Sequence, residues 1–263
     1  MCPYVNIFGL ELPLYGLISL VGILVSAAVA YPLSRRVGVP FFDIMTTALF
    51  GGLGVFLGSH LLYALTRAED IILTFSSYGD YDSLWEFLRE LADLSSGMVF
   101  YGGLYGGLLF GYLWIRGKRN IISPVADVFA VIIPLFHAFG RVGCFFAGCC
   151  YGIECRYGFS GRVLSSGSSE QIKRLPVQLI EAVLLLVLFA VLLILFCKKT
   201  ACGRLMCIYL LSYAVLRFVL EFFRGDAIRG HFLFLSTSQW ISLATVIGVT
   251  LYILCRRKNR NTF

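Results

Sequence analysis

The sequence predicts an all-α polytopic membrane protein of seven transmembrane helices, with the N-terminus outside and the C-terminus cytoplasmic. Three observations carry this. The chain of 263 residues is 59% hydrophobic and only 14% charged, with a mean hydropathy of +0.84; soluble domains do not have this composition. Its apolar residues fall into seven segments of roughly 20 residues, the length that crosses a bilayer core. Its basic residues cluster at alternate segment ends, as the positive-inside rule requires. The formal net charge of +7 therefore sits at span ends and favours a membrane surface over nucleic acid.

The segments are 13–33, 44–66, 97–115, 124–147, 177–197, 203–223 and 238–255. The stretch before the first lacks the positive region of a cleavable signal peptide, so that span is expected to remain as an anchor. Arg35 and Arg36 follow span one. Arg116, Lys118 and Arg119 follow span three, and Lys198, Lys199 and Arg204 separate spans five and six. Arg256, Arg257, Lys258 and Arg260 end the chain. All of these lie on one side if the N-terminus is outside. The opposite side then receives two loops, about 67–96 and 148–176. The first is acidic, with Glu69, Asp70, Asp80, Asp82, Glu86, Glu90 and Asp93, and its WEFLRELADL stretch suits a short surface or loop helix. No repeat or low-complexity tail divides the chain, so residues 1–263 are expected to form a single integral membrane domain.

Charges inside the spans mark the candidate site, because an ionisable group in a bilayer is costly unless it has a partner. Arg141 lies between Gly140 and Gly143 near the end of span four. Its flanking glycines permit close approach of a ligand, and its donor fork suits a phosphate. His137, Arg141 and Cys144 share one helix face, as do Tyr213, Arg217 and Glu221 in span six. Arg224 and Asp226 follow at the boundary. Two arginines at one depth would make a positive pocket open to the outer leaflet. A plain Arg217–Glu221 pair with a snorkelling Arg224 is the competing structural reading. His60 and His231 are expected to be structural or uninformative.

Cys144, Cys149, Cys150 and Cys155 run as C-x4-C-C-x4-C. Zinc knuckles are usually built from separate C-x2-C or C-x4-C pairs. A disulfide or plain packing is therefore expected in place of a metal, and no cofactor is called for. Cys197, Cys202, Cys207 and Cys255 fall near the inner face and are expected to stay reduced. The glycine run YGGLYGG at 101–107 allows close helix contact and also leaves room for a lipid head group.

These residues together resemble the prolipoprotein diacylglyceryl transferase family over nearly the whole chain. The match includes LYGL at 14–17, GVFLGSHLLY at 54–63, YGGLYGG at 101–107 and GRVGCFFAGCCYG at 140–152. It continues with RLPVQLIE at 174–181, YAVLRFVLEFFRGD at 213–226 and SQWIS at 238–242. The resemblance implies a bacterial cytoplasmic-membrane enzyme. Such an enzyme moves the diacylglyceryl group of phosphatidylglycerol to the lipobox cysteine of a preprolipoprotein and releases glycerol phosphate. It implies that Arg141 and Arg217 hold the lipid phosphate. Tyr15, Tyr213, Glu221 and Arg224 would line the site with Gly102, Gly103, Gly140, Gly143 and Cys144. Arg174, Pro176, Gln178 and Glu181 match an external family motif. A monomer acting on lipid and preprolipoprotein partners is expected.

Two departures stand out. Most members carry HGG where this chain has Tyr101-Gly102-Gly103, and GRxGN where it has Gly140–Cys144. The missing imidazole leaves the general base open between His137, one turn before Arg141, and a non-basic hydrogen-bonding role for Tyr101. A paralogous transferase with another acceptor, or a non-enzymatic anion or lipid transporter, remains an alternative. Transporters commonly show internal repeats or broken spans, and this sequence shows neither.

Overall fold

Apolar runs bounded by Arg, Lys, Gly and Pro fold as helices because a bilayer leaves backbone groups no other partner. The structure, a computed structural model, describes residues 4–7, 10–81, 83–95, 100–160, 173–225, 231–232 and 235–260. Asp82, Asp226 and most of the Gly- and Ser-rich part of the 148–176 loop lie outside the described residues.

A short hairpin opens the chain, β1 (Tyr4–Ile7) pairing antiparallel with β2 (Leu10–Pro13). Helix α1 (Leu14–Arg36) and helix α2 (Phe41–Thr66) follow. The acidic loop folds as two short helices, α3 (Ala68–Ser76) and α4 (Leu84–Ser95), and α4 contains the expected WEFLRELADL. Then come α5 (Phe100–Ile115) and α6 (Ile122–Ala147). The strands β3 (Glu154–Ser160) and β4 (Lys173–Arg174) pair across the second loop. Helices α7 (Val177–Cys197) and α8 (Leu205–Glu221) are followed by the small pair β5 (His231–Phe232) and β6 (Leu235–Ser236), and by α9 (Thr237–Arg260).

Each expected apolar segment is thus a helix. Among the described residues, five helical stretches are both long and apolar enough to cross a bilayer: Leu14–Arg36, Phe41–Leu65, Arg119–Ala147, Val177–Cys197 and Ser238–Cys255. Helices α5 and α8 are shorter, at 16 and 17 residues. The molecule is a mainly helical, polytopic membrane protein. The three small strand pairs are additions that alternation in such short runs does not announce.

The chain forms two compact units, Ser34–Ile122 and the combination of Met1–Leu33 with Ser123–Phe263. In the first unit α2 lies along α5 on a seam of glycines. A Cβ added at Gly54 or Gly58 would collide with the carbonyl of Gly106 or Gly102, and the reverse substitutions collide as well. Small residues four apart on both helices allow this backbone approach, so the contact accounts for the YGGLYGG run. Trp114 closes the seam by stacking on Phe50 at 4.0 Å and donating to Thr46 Oγ1. Asp43, buried in the first turn of α2, receives Lys118 Nζ, and a carboxylate there also complements the helix dipole.

In the second unit α6 is the central helix. Val125, Val128, Val131, Ile132, Leu135 and Ala138 are buried along it. Ala138 packs with Ala182 and Leu185 of α7, and Val142 and Tyr213 complete that cluster. Asp127, buried on α6, accepts hydrogen bonds from the backbone amides of Gly203 and Leu205. It therefore satisfies open amides at the start of α8 and fixes α8 against α6.

Candidate active site

The site assembles where α6, α7 and α8 bring charged side chains into an apolar packing layer. Its centre is Glu181, on the second turn of α7 and 1% exposed. Arg141 Nη2 lies 3.0 Å from Glu181 Oε1. Arg217 Nη1 lies 3.9 Å from Glu181 Oε2. The Tyr213 hydroxyl donates to Glu181 Oε1 at 3.5 Å, and His137 Nε2 stands 4.0 Å from the same oxygen. Arg217 Nη2 also reaches Glu221 Oε2 at 2.7 Å and Ser238 Oγ at 3.4 Å.

The periodicity explains the convergence. His137 and Arg141 are one turn apart on α6, while Tyr213, Arg217 and Glu221 are successive turns of one face of α8. Both faces turn toward Glu181. The expected pairing of Arg217 with Glu221 is present, but it is part of a larger network. The expectation of a positive pocket needs correction. Two carboxylates, Glu181 and Glu221, offset the two guanidiniums, so the four charges balance. Glu181, which the sequence pattern places only in an external motif, sits at the centre of this cluster. Its signal was available: an acid on the fifth residue of an apolar helix requires a partner.

Balance of charge does not mean that every hydrogen-bonding atom is used. Arg141 Nε, Arg217 Nη1 and Glu181 Oε2 are buried without a hydrogen bond among the described residues. Such atoms are costly to leave unmade. Arg217 Nη1 and Glu181 Oε2 face each other at 3.9 Å, while Arg141 Nε on the neighbouring helix is left with an unused donor.

Around this centre the other expected residues divide. The Tyr15 ring lies against Gly143, where a Cβ would come within 2.8 Å of it. Gly140 has nothing within 4 Å of a built Cβ, so it faces open space. Tyr101, Gly102 and Gly103 are on α5, in the other unit. Gly102 and Gly103 face the α2 seam.

The loop after α6 is fastened by backbone and side chains that sequence reasoning missed. Gly152 N donates to Leu175 O, Leu175 N to Ile153 O, Ile153 N to Phe223 O and Gly225 N to Tyr151 O. A Cβ at Gly152 would meet Val177 Cγ2 at 2.5 Å and Leu175 O at 2.6 Å, so only glycine fits this crossing. Gln178 Nε2 donates to Cys149 O at 2.7 Å. Arg174 lies over the Tyr151 ring at 4.2 Å and 3.6 Å from Glu154. The RLPVQLIE motif thus performs two tasks: Arg174, Leu175 and Gln178 tie down the 149–153 turn and its last residue, Glu181, pairs with the arginines.

Within that turn Gly148 and Cys150 adopt φ of 74° and 60°. A non-glycine residue in the left-handed region carries a cost of roughly 1–3 kcal/mol and persists where surrounding structure holds it. The Cys144, Cys149 and Cys150 thiols are free and lie within 4.8 Å of one another. Hydrogen bonds from Cys144 and Cys149, followed by the Arg224 guanidinium, hold the Cys150 thiol below its ordinary range.

Helices of bilayer length beside a buried guanidinium–carboxylate cluster define a polytopic membrane protein with an ionic cluster at its helix junction. The sequence profile described as "Prolipoprotein diacylglyceryl transferase" matches residues 3–255, and the chain belongs to that family. It is 33% identical over 243 residues to the phosphatidylglycerol–prolipoprotein diacylglyceryl transferase of Clostridium tetani, covering 92% of each chain. It is 29% identical to the protein named phosphatidylglycerol–prolipoprotein diacylglyceryl transferase 2 of Clostridium perfringens, over 97% of this chain and 95% of the relative. The Clostridium novyi relative of the same name is 30% identical over 98% of this chain and 97% of its own.

Proposed function

We propose that this chain transfers the diacylglyceryl group of phosphatidylglycerol to the lipobox cysteine thiol of preprolipoproteins, as the enzymes it is similar to are named for doing. Membership of the family supports the reaction. The observation that carries the site assignment is the meeting of Arg141 and Arg217 at Glu181 with buried donor positions left over.

The chemistry follows from those groups. The lipid phosphate enters between the two guanidiniums and accepts charge-assisted hydrogen bonds from both. The acceptor thiol loses its proton and its sulfur attacks the glycerol carbon. The carbon–oxygen bond to phosphate breaks, and glycerol phosphate leaves with the electron pair. Charge grows on the phosphate oxygens as the bond opens. Positioned donors in a water-poor site stabilise that growth most. Glu181 holds the arginines in place before lipid arrives and yields part of their hydrogen bonding to the phosphate.

His137 serves as the base. It shares a face with Arg141 and stands beside the Glu181 carboxylate. A free cysteine titrates near pH 8.5, so the thiol needs such help at neutral pH. Tyr15, Gly140, Gly143, Cys144, Tyr213, Glu221 and Arg224 line the lipid.

The protein works in the bacterial cytoplasmic membrane as a monomer. All seven long apolar segments cross, including α5 and α8. The N-terminus is outside, the basic loops and C-terminus are inside, and the 67–96 and 148–176 loops are external. The test is expression in cells depleted of their own diacylglyceryl transferase. Restored growth with diacylglyceryl-modified lipoprotein, measured by mass spectrometry, is expected. Stable expression with unmodified prolipoprotein would overturn the proposal.

A further inference from the structure

The turn after α6 gathers a chemical group that the arginine network does not use. Cys144 ends one face of α6, and Cys149 and Cys150 return to it through the left-handed positions at Gly148 and Cys150. The three Sγ atoms all lie within 4.8 Å of one another. We propose that Cys144, Cys149 and Cys150 form a three-thiolate site for a zinc-class divalent cation, with its fourth coordination position taken by an exogenous thiol.

Geometry supports a shared ion. Zinc–sulfur bonds are about 2.3 Å, so sulfurs on one tetrahedral ion sit about 3.8 Å apart. Small side-chain rotations close the remaining gap. A disulfide would use two of the three thiols and leave the third without a reason to be there; one ion uses all of them. Cys149 is exposed and the other two are half-buried, so the ion has an entry path. The turn is also held in advance. Gln178 fixes the Cys149 carbonyl at 2.7 Å, and the Gly152–Leu175 backbone bond fastens the next residues. Pre-positioned ligands supported by outer hydrogen bonds are what metal sites need.

Among the described residues no fourth histidine, cysteine or carboxylate joins the group. Three protein ligands with an open position is the pattern of reactive zinc, while structural zinc is closed by four. The occupant argued here is a thiol, and this step rests on the transferase proposal above. An acceptor cysteine that binds the ion would pass its proton to His137, the base proposed above, and remain a thiolate at neutral pH. That sulfur then forms the new bond to the glycerol carbon as the carbon–oxygen bond to phosphate breaks. The thioether product is a weaker ligand and leaves. Such a site would serve thiol activation in a chain whose residue 101 is a tyrosine.

The test uses the full-length, reduced protein in detergent, titrated with Co2+ and separately with Zn2+. One equivalent is expected to bind, with thiolate-to-cobalt charge-transfer absorption. In the wild-type protein, bound Zn2+ should protect Cys144, Cys149 and Cys150 from alkylation, mapped by mass spectrometry, and leave Cys155 reactive. Cys149→Ser should weaken binding at least tenfold, and Cys155→Ser should leave it unchanged. A cysteine-containing lipobox peptide should shift the cobalt bands, while its serine counterpart should not. Substoichiometric binding, unchanged binding in a Cys144→Ser/Cys149→Ser/Cys150→Ser variant, or a disulfide at these positions after anaerobic thiol blocking would overturn the site. Tight metal binding with no response to the cysteine peptide would overturn the open position. None of these readouts requires transfer activity, so failure of the transferase proposal is seen separately.

Discussion

The α2–α5 seam and the α6–α7–α8 cluster are both places where apolar helices come into contact, and they do so by opposite means. At the seam, Gly54, Gly58, Gly102 and Gly106 remove side chains so that backbones touch. The buried hydroxyls beside it are satisfied within α2 itself, Thr47 by the Asp43 carbonyl and Ser59 by the Phe56 carbonyl. At the cluster, Arg141, Glu181, Arg217 and Glu221 bring charge into the same kind of apolar layer. Such burial costs several kcal/mol per ion before pairing repays it, and hydrogen-bonding atoms are still left over. Packing alone never requires this, because glycines achieve contact at lower cost. The difference separates a steric contact from a site.

Substitutions should therefore behave differently in the two regions. The largest effect is expected at the groups proposed to meet substrate. Arg141→Ala or Arg217→Ala should lower transfer at least about a hundredfold, since one positioned donor to a developing anion contributes roughly 3–4 kcal/mol. Lysine should rescue poorly because it lacks the paired donor edge. His137→Gln should fall as far in rate, a base being worth about a hundredfold or more, while phosphatidylglycerol binding persists. Retained activity from pH 6 to 9 would remove His137 from that role and move attention to Tyr101.

Next in size is Glu181→Gln. It keeps the shape but leaves two guanidiniums short of charge, and breaking a buried pair costs about 3–5 kcal/mol. Thermal unfolding should drop in zwitterionic lipid and recover in part when phosphatidylglycerol supplies the missing negative charge. Equal loss in both lipids would mean that Glu181 is structural only. At the seam, Gly58→Leu forces a side chain into the Gly102 backbone, and overpacking costs about 1–3 kcal/mol or more. Folded yield should fall while activity per folded molecule is retained. A loss of specific activity at normal yield would blur the contrast between the regions. The smallest effect is expected for Gly143→Ala. Its new methyl presses on the Tyr15 ring at 2.8 Å, so the ring must shift and transfer should drop severalfold with a smaller loss of stability than at the seam.

What the sequence discloses and withholds follows the same division. Length and hydropathy locate the seven apolar helices to within a few residues, because a long apolar run is a one-dimensional signal, whereas α3 in the acidic loop carries no such signal. Arg141, Arg217 and Glu221 are visible because charge in an apolar run is conspicuous. Glu181 was seen as part of a motif, but its role depends on three helices meeting, which no local pattern encodes. The thiol cluster was hidden for a related reason. The spacing of Cys144, Cys149 and Cys150 is unlike a zinc knuckle, and only the left-handed turn at Gly148 and Cys150 brings the sulfurs together. Gly152 looked like one glycine among many until the crossing of 151–153 with 175 and 223–225 showed that a Cβ cannot fit.

The most direct test of the central claim is a reconstituted transfer assay. Purified wild-type and Arg141→Ala protein, matched for folded amount, are placed in phosphatidylglycerol vesicles with a lipobox cysteine peptide. Thioether-linked peptide and released glycerol phosphate are both quantified. Equal amounts of the two products from the wild type, and at least about a hundredfold less of both from Arg141→Ala, are the predicted result. Near-normal product from Arg141→Ala would contradict the claim that the buried arginines hold the lipid phosphate.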